Sequence, residues 1–404
     1  MAHTLPPEGA KALDLFKQTF GEVSDKDSLV YVYAPGRSEI AGNHTDHEGG
    51  HIIAGSLDVS IDAIAHLNNT NTVRIKDAAF PLFEVSLNDL SVQEDEKETS
   101  QALVRGTAHE MVKTGREAKG FDLASVCSIP SGGGLSSSAA VEAAYGRAME
   151  TLWPGEAIEP IALAQMSQRT ENNYFGKPCG LMDQAAVCLG SLSFMDFHDK
   201  GHVYFQKLNY DFEANGYSLC LVKVGSSHAD LTADYAALPA EIQAVAHEFG
   251  KTRLCEVPQA DFEAQVSALR KKLGDRAVLR AIHYYMENAS VDKRWEALQA
   301  NDIDRFLELT RASGASSAMF LQNVSPSNTD VKNQPAMVAL GLAELTLNGK
   351  GAARIHGGGF GGTIQCFVPT EETDRFCAQM DAWLGAGSSK RYTITQRGAY
   401  AQWL

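Results

Sequence analysis

Ile129-Pro-Ser-Gly-Gly-Gly-Leu-Ser-Ser-Ser-Ala-Ala140 places three glycines and three serines between a strand-like run, Phe121 to Ile129, and a helix-like run, Ser138 to Leu152. Glycine lets the backbone approach a ligand closely and reach positive φ. A helix start offers unpaired N–H groups and a partial positive charge, which suits an anion. Serine hydroxyls there add hydrogen bonds or a magnesium ligand. The same composition describes a flexible turn with a serine N-cap. The strand–loop–helix setting and the triple serine favour phosphate. The run is not a Walker loop, which needs G-x-x-x-x-G-K-[S/T]. Gly250-Lys251-Thr252 ends like one, but Val245 stands where its first glycine belongs.

Working outward, three other segments carry chemistry. Upstream, Ala34-Pro-Gly-Arg-Ser-Glu-Ile-Ala-Gly-Asn-His-Thr-Asp-His-Glu-Gly-Gly50 reads as a strand, Leu29 to Ala34, that stops at Pro35-Gly36 and enters a polar turn. Its Asn, His and Asp residues pair donors with acceptors, as a polyhydroxylated ligand requires. A solvated loop is the plain alternative. A metal site on His44, Asp46, His47 and His51 is another, although no zinc spacing matches. Far downstream, Arg354-Ile-His-Gly-Gly-Gly-Phe-Gly-Gly-Thr363 has five glycines in six positions. It reads as a tight hairpin or as backbone approaching a second ligand or the same phosphates. Between them, Glu171-Asn-Asn-Tyr-Phe-Gly-Lys-Pro-Cys-Gly-Leu-Met-Asp183 closes a helix. Ala164, Ser167, Gln168 and Glu171 share one face of that helix, and Glu171 could point inward at a metal or lie at a surface helix end. Asp183 enters an apolar run, Ala185 to Leu189, and needs a partner there. Arg37 is the candidate.

The 404 residues suffice for two domains, and a 44% hydrophobic content supports a sizeable core. The formal charge of −15 argues against a nucleic-acid binder. A locally positive phosphate pocket is still compatible with it. The seven cysteines include no C-x-x-C pair, so a disulfide framework or zinc site is not expected and a cytoplasmic location is. No apolar run reaches the length of a membrane span, and the first residues lack a signal-peptide pattern. Nothing in the sequence signals an oligomeric state.

Ala10 to Phe20 and Ser100 to Lys113 read as helices, and a further helix starts at Pro160. His51 to Leu67 reads as strand, Gly190 to Phe197 with His202 to Leu208 as a hairpin, and Tyr217 to Val224 as a strand. Ala260 to Thr310 is largely helical, and strands are expected at Gly351 to His356 and Thr363 to Val368. Strands and helices mix without βαβ alternation, so the fold class is α+β. A boundary near residue 200 divides residues 1–200 from 201–404.

Together these segments resemble the galactokinases of the GHMP kinase superfamily. The family's sugar signature is close to G-R-x-N-x-x-G-E-H-T-D-Y, its phosphate loop is G-G-G-L-S-S-S-A, and its late motif is G-G-G-F-G-G. Pro178-Cys-Gly-Leu-Met-Asp-Gln184 matches as well, and the likeness spans about residues 30 to 365. The resemblance implies two α+β domains with the active site in the cleft between them. It implies ATP and Mg2+ as cofactors and transfer of the γ-phosphate to the anomeric hydroxyl of galactose. Asp183 takes the role of base, with Arg37 beside it. Gly132, Gly133, Gly134, Ser136, Ser137 and Ser138 form the phosphate loop, and Ser138 and Glu171 hold magnesium. Asn43, His44, Asp46, Gly180 and Tyr235 contact the sugar. Glu39, Asn43 and His47 depart from the signature's usual Asn, Glu and Tyr. The neutral Asn43 opens the alternatives of a C6- or C2-modified sugar, such as galacturonate or N-acetylgalactosamine. A non-catalytic galactose and ATP sensor is a further alternative, but the intact serine loop, Arg37 and Asp183 speak for turnover. Mevalonate and homoserine kinases share the phosphate loop but lack the H-T-D signature.

Overall fold

The computed structural model describes residues 5–25, 28–130, 133–199, 201–225, 232–327 and 331–404. Seven strands build the first sheet from the N-terminal half: β1 (Val30–Ala41), β2 (His51–Leu67), β3 (Thr72–Asp77), β4 (Phe83–Ser86), β5 (Phe121–Cys127), β6 (Leu192–Asp196) and β7 (Tyr204–Leu208). A second sheet follows from β8 (Tyr217–Lys223), β9 (Ala352–Ile355), β10 (Thr363–Pro369) and β11 (Ser389–Tyr392), in the order β11-β8-β10-β9. The last strand, β12 (Tyr400–Trp403), returns to pair antiparallel with Val30–Tyr33 of β1.

β1 does not stop at Pro35-Gly36 as the sequence suggested. It continues to Ala41, with register irregularities between Pro35 and Arg37 and between Glu39 and Ala41. A proline lacks the N–H of a regular ladder but fits at a bulge. The irregularity also frees the Arg37 N–H, which donates to Leu135 O at 3.2 Å. The long β2 forms one strand with two duties. Its first residues pair with β6 and its last with β5. The β6–β7 hairpin matches the sequence reading.

Eleven α-helices among the described residues surround the sheets: α1 (Pro7–Phe20), α2 (Ser100–Val112), α3 (Ser137–Leu152), α4 (Pro160–Thr170), α5 (Met182–Leu189), α6 (Thr232–His247), α7 (Gln259–Leu273), α8 (Asp275–Gln299), α9 (Ile303–Ser316), α10 (Pro335–Leu347) and α11 (Thr373–Leu384). The largest apolar cluster joins the first sheet to α2, α3 and α5 and reaches Leu219, Leu221 and Phe367 of the second. A separate cluster seals the second sheet beneath α10 and α11. Helices α6 to α8 share a third, which includes Phe360 of the late glycine segment. No helix among the described residues is long and apolar enough to cross a membrane.

The return of the chain end past α5 tolerates no side chain at its crossing point. Gly190 has φ +74°, and a Cβ there would collide with the backbone of Arg397 and Gly398. Gly216 has a similar φ of +84° but open space around it. Gly190→Ala should lower the urea unfolding free energy by about 2–5 kcal/mol, adding overpacking to the left-handed penalty. Gly216→Ala should cost only about 1–2 kcal/mol. Equal losses in the two variants would refute this account of the crossing.

Candidate active site

Asp183 sits in the first turn of α5, and Arg37 reaches it from the irregular stretch of β1. Arg37 Nε donates to Asp183 Oδ1 at 2.8 Å, and Nη2 lies 2.7 Å from the same oxygen. Ser136 Oγ donates to Asp183 Oδ2. Burial pushes the Asp183 pKa up, but the charge and hydrogen bonds of Arg37, with the Ser136 bond, outweigh it and hold it below the usual aspartate value. The aspartate side chain is 35% exposed while that of Arg37 is 7% exposed. The carboxylate is thus ionised, pinned and still open to a ligand.

The glycine–serine loop, expected from the sequence to hold phosphate, meets the same guanidinium. Arg37 Nη1 donates to Gly134 O at 2.5 Å. Gly134 has φ +66°, and Ser136 itself is left-handed at φ +54° just before α3 begins. This backbone turns Ser136 back toward Asp183, while Ser137 and Ser138 start the helix. Gly133 O accepts from Thr363 Oγ1 at 3.2 Å. Gly132 lies outside the described residues.

The late glycine segment serves the sugar signature through its carbonyls. Gly357 O accepts from Asn43 Nδ2 at 2.6 Å, Gly358 O meets His44 Nε2 at 2.9 Å, and Gly359 O accepts from Tyr235 Oη at 3.0 Å. Gly357, Gly359, Gly361 and Gly362 all have positive φ. A Cβ on Gly359 would collide with Asn323 O. The close approach expected of this segment is therefore made to the protein's own side chains.

His44, Asp46, Gly180 and Tyr235 line one cavity of about 540 Å³, together with His47, Arg253 and Phe197. A Cβ on Gly180 would strike Asp46 Oδ2, so glycine there admits the carboxylate. Asn43 is not brought to this cavity. It is 0% exposed. Its Oδ1 accepts from Asn323 at 2.8 Å and Ser317 at 3.2 Å, while its Nδ2 serves Gly357 O and Glu39. Glu39 is buried against Arg354.

The pKa values of the two signature histidines move in opposite directions. Burial, with the charge of His47 next, pulls the His44 pKa down to about 3. For His47, burial opposes ionisation, but the bond to Glu48 and the charges of Asp46 and Glu48 prevail and push the pKa up. Neutral His44 then gives its Nε2 proton to Gly358 O and accepts from His47 at Nδ1, 3.3 Å away. Among the described residues no group of three or more His, Cys, Asp or Glu has the geometry to hold a metal ion.

Glu171 sits at the end of α4 and is buried beside Glu142 of α3. Gln184 Nε2 bridges them, donating to Glu171 Oε2 at 2.7 Å and Glu142 Oε2 at 3.2 Å. Burial, then the neighbouring Glu171, pushes the Glu142 pKa well up. Glu142 Oε1 has no hydrogen-bond partner among the described residues.

Sequence reasoning missed the support behind the signature loop. Glu287 Oε1 accepts from the N–H of Gly42 at 3.0 Å and of Asn43 at 3.3 Å, and it is paired with Arg294. His283 Nε2 meets Asn43 O at 3.0 Å. Arg280, His283, Glu287 and Arg294 follow i, i+3, i+7, i+14 along α8, the stripe that also buries Ala277 and Val291. Charged residues on an apolar stripe were the available signal.

The description "GHMP kinases N terminal domain" matches residues 102–191, and "Galactokinase galactose-binding signature" matches residues 14–66. The galactokinase of Actinobacillus pleuropneumoniae serotype 3 is 30% identical over 369 residues, covering 90% of this chain and 91% of that protein. The galactokinase of Glaesserella parasuis serovar 5 is 29% identical, with 89% of each chain covered. Among solved structures, Lactococcus lactis galactokinase complexed with galactose superposes with a TM-score of 0.80 at 24% identity, covering 98% of this chain and 99% of that one. The last match shows the fold, an α+β architecture shared along the whole chain.

The histidine pair generates a pH signature. A histidine whose folded pKa is depressed binds fewer protons than its unfolded form, so stability falls as pH drops below the unfolded value of about 6.5. His47, pushed up, contributes a smaller slope of opposite sign there. His44→Asn should make stability between about pH 6 and pH 5 less steep by ~1.4 kcal/mol per pH unit. Urea midpoints of both proteins across that window measure it, and parallel slopes would refute the assignment.

Proposed function

The chain belongs to the galactokinase family, and on that footing we propose that it moves the γ-phosphoryl group of ATP to the anomeric hydroxyl of galactose with Asp183 as base. It is a sugar kinase, and its nucleotide is ATP. The observation that carries the assignment of roles is Arg37. One guanidinium joins Asp183 to Gly134 of the phosphate loop, so the acceptor and the transferred group share one anchor.

Asp183 Oδ1 is occupied by Arg37 and Oδ2 by Ser136. Oδ1 meets two nitrogens of the guanidinium, whereas Oδ2 has the single bond from Ser136 and keeps a lone pair, which would accept the hydrogen of the anomeric hydroxyl. A carboxylate with a lowered pKa is a weak base. Phosphoryl transfer passes through a loose transition state in which charge builds late on the attacking oxygen. A weak base held in place is then sufficient, because the hydroxyl becomes acidic as its oxygen bonds phosphorus. The O–H bond breaks toward Asp183, the new P–O bond forms, and the bond to the β-phosphate oxygen breaks to leave ADP. Arg37 steadies the carboxylate and the negative charge beside it. His44, Asp46, Gly180 and Tyr235 would hold the sugar in the cavity. Asn43, buried and fully engaged, would support that wall from behind.

Ser138 and Glu171 would hold magnesium. Their oxygen donors suit a hard cation, and burial beside Glu171 penalises the charged form of Glu142, a penalty that a cation nearby would relieve, with one buried Glu142 oxygen unpartnered among the described residues. When bound, the ion would neutralise phosphate charge during transfer. Residues 1–200 and 201–404 would form the two units flanking the site, with β7 and β12 returning to the first sheet. A cytoplasmic setting is supported by all seven cysteines being free thiols.

Formation of ADP, coupled to NADH loss, should require galactose and exceed that with galacturonate or N-acetylgalactosamine. Asp183→Ala should lower kcat by about 10²–10⁴-fold, the share of a general base, with an unchanged circular dichroism spectrum. Turnover unaffected by that substitution would remove Asp183 from the mechanism.

A further inference from the structure

His356 follows directly on β9 and opens the late glycine segment. It is 4% exposed. Its Nε2 lies 3.0 Å from Ser38 Oγ. Gln365 decides which of the two donates. Its Nε2 gives one proton to Glu39 O at 2.8 Å and the other to Ser38 Oγ at 2.8 Å. A backbone carbonyl can only accept, so the amide is held with its nitrogen toward Ser38. Ser38 Oγ therefore accepts from Gln365, and its own proton has His356 Nε2 as acceptor. Burial, with Arg37 and Arg354 next, pulls the His356 pKa well below the usual value, so the ring is neutral. A neutral imidazole whose Nε2 accepts carries its proton on Nδ1.

That Nδ1–H has no partner among the described residues, and the atom is buried. It is also the nearest atom to the open side of Gly134, 3.5 Å from where a Cβ would stand. Gly134 O accepts from the guanidinium that grips Asp183. This end of the loop therefore faces the acceptor sugar, and the phosphate lying there is the one being transferred. We propose that His356 Nδ1–H donates to an oxygen of the terminal phosphate of ATP, as a neutral donor fixed in its tautomer by Ser38 and Gln365. The assignment rests on the kinase reading above. A neutral donor stabilises the spreading negative charge without offering a proton that phosphate could capture.

Two substitutions separate the ring nitrogens. Asparagine at 356 places an amide nitrogen near the Nδ1 position and gives up Ser38. Glutamine reaches toward the Nε2 position and Ser38 and leaves the Nδ1 position empty. His356→Gln should lower kcat by about 10- to 100-fold, the scale of one hydrogen bond to a charged group, with the galactose KM unchanged. It should weaken binding of AMPPNP and leave ADP binding unchanged in calorimetry. His356→Asn should recover most of both losses. The reverse order, with Gln intact and Asn impaired, would show that the Ser38 bond matters and would overturn the proposal. Equal weakening of AMPPNP and ADP, or two unimpaired variants, would overturn it too. The nucleotide comparison needs no sugar turnover, so a wild-type protein inert toward galactose would sink the kinase reading separately.

Discussion

Arg37 must satisfy its guanidinium in a place almost closed to water, and it does so by tying three parts of the chain together. Its N–H groups go to a carboxylate at the start of α5 and a carbonyl in the phosphate loop, while its backbone N–H goes to Leu135. Removing Asp183 would leave the buried guanidinium with an uncompensated charge, a cost of up to about 3–5 kcal/mol, whereas Asp183 is open enough for water to offset part of the loss of Arg37. The geometry around Asp183 and local stability are thus one constraint. The irregular stretch of β1 exists to make it possible. A regular ladder through Pro35 and Gly36 would have engaged the Arg37 N–H within the sheet and carried the side chain elsewhere.

Behind this anchor lies a second polar layer. Glu39 with Arg354 and Glu287 with Arg294 are buried ion pairs, and Asn43 sits between them. Paired burial of this kind adds little net stability, but each member is costly to remove alone. What it supplies here is position. The backbone from Gly42 to Asn43 is clamped by a carboxylate from α8, so His44 and Asp46 enter the cavity from a fixed turn. The family's usual glutamate at position 43 is replaced by an amide that is used up within the protein, and the two donors and two acceptors it finds match its chemistry.

Much of this was legible before the structure. The glycine–serine run, the polar turn after β1 and the late glycines are local patterns with local physics, and Asp183 stood out as an acid entering an apolar run. The strand ending at Pro35 was misjudged because proline signals a break only when the ladder is regular. Helix α10 was missed because it is apolar nearly all round, which hides a helical period, and α6 because Pro239 lies inside it. Asn43 read as a ligand alongside His44 and Asp46, which do line the cavity; its burial depends on Ser317, Asn323 and Gly357, which are far away in sequence. The same distance hid Glu287 and the partnership of His356 with Ser38 and Gln365.

The hydrogen bonds from Asn43 and His44 to Gly357 O and Gly358 O span 314 residues. During synthesis, the loop that carries these side chains leaves the ribosome long before the carbonyls that will receive them exist. Until Gly357 and Gly358 emerge, these two donors lack their carbonyl acceptors, and β1 lacks its edge partner at Tyr400–Trp403. A chain shortened before Gly357 would therefore leave the turn after β1 without the carbonyls that receive Asn43 and His44. Closure of such long loops is slow, so the turn that carries Asn43 and His44 can order fully only after Gly357 and Gly358 have joined the chain.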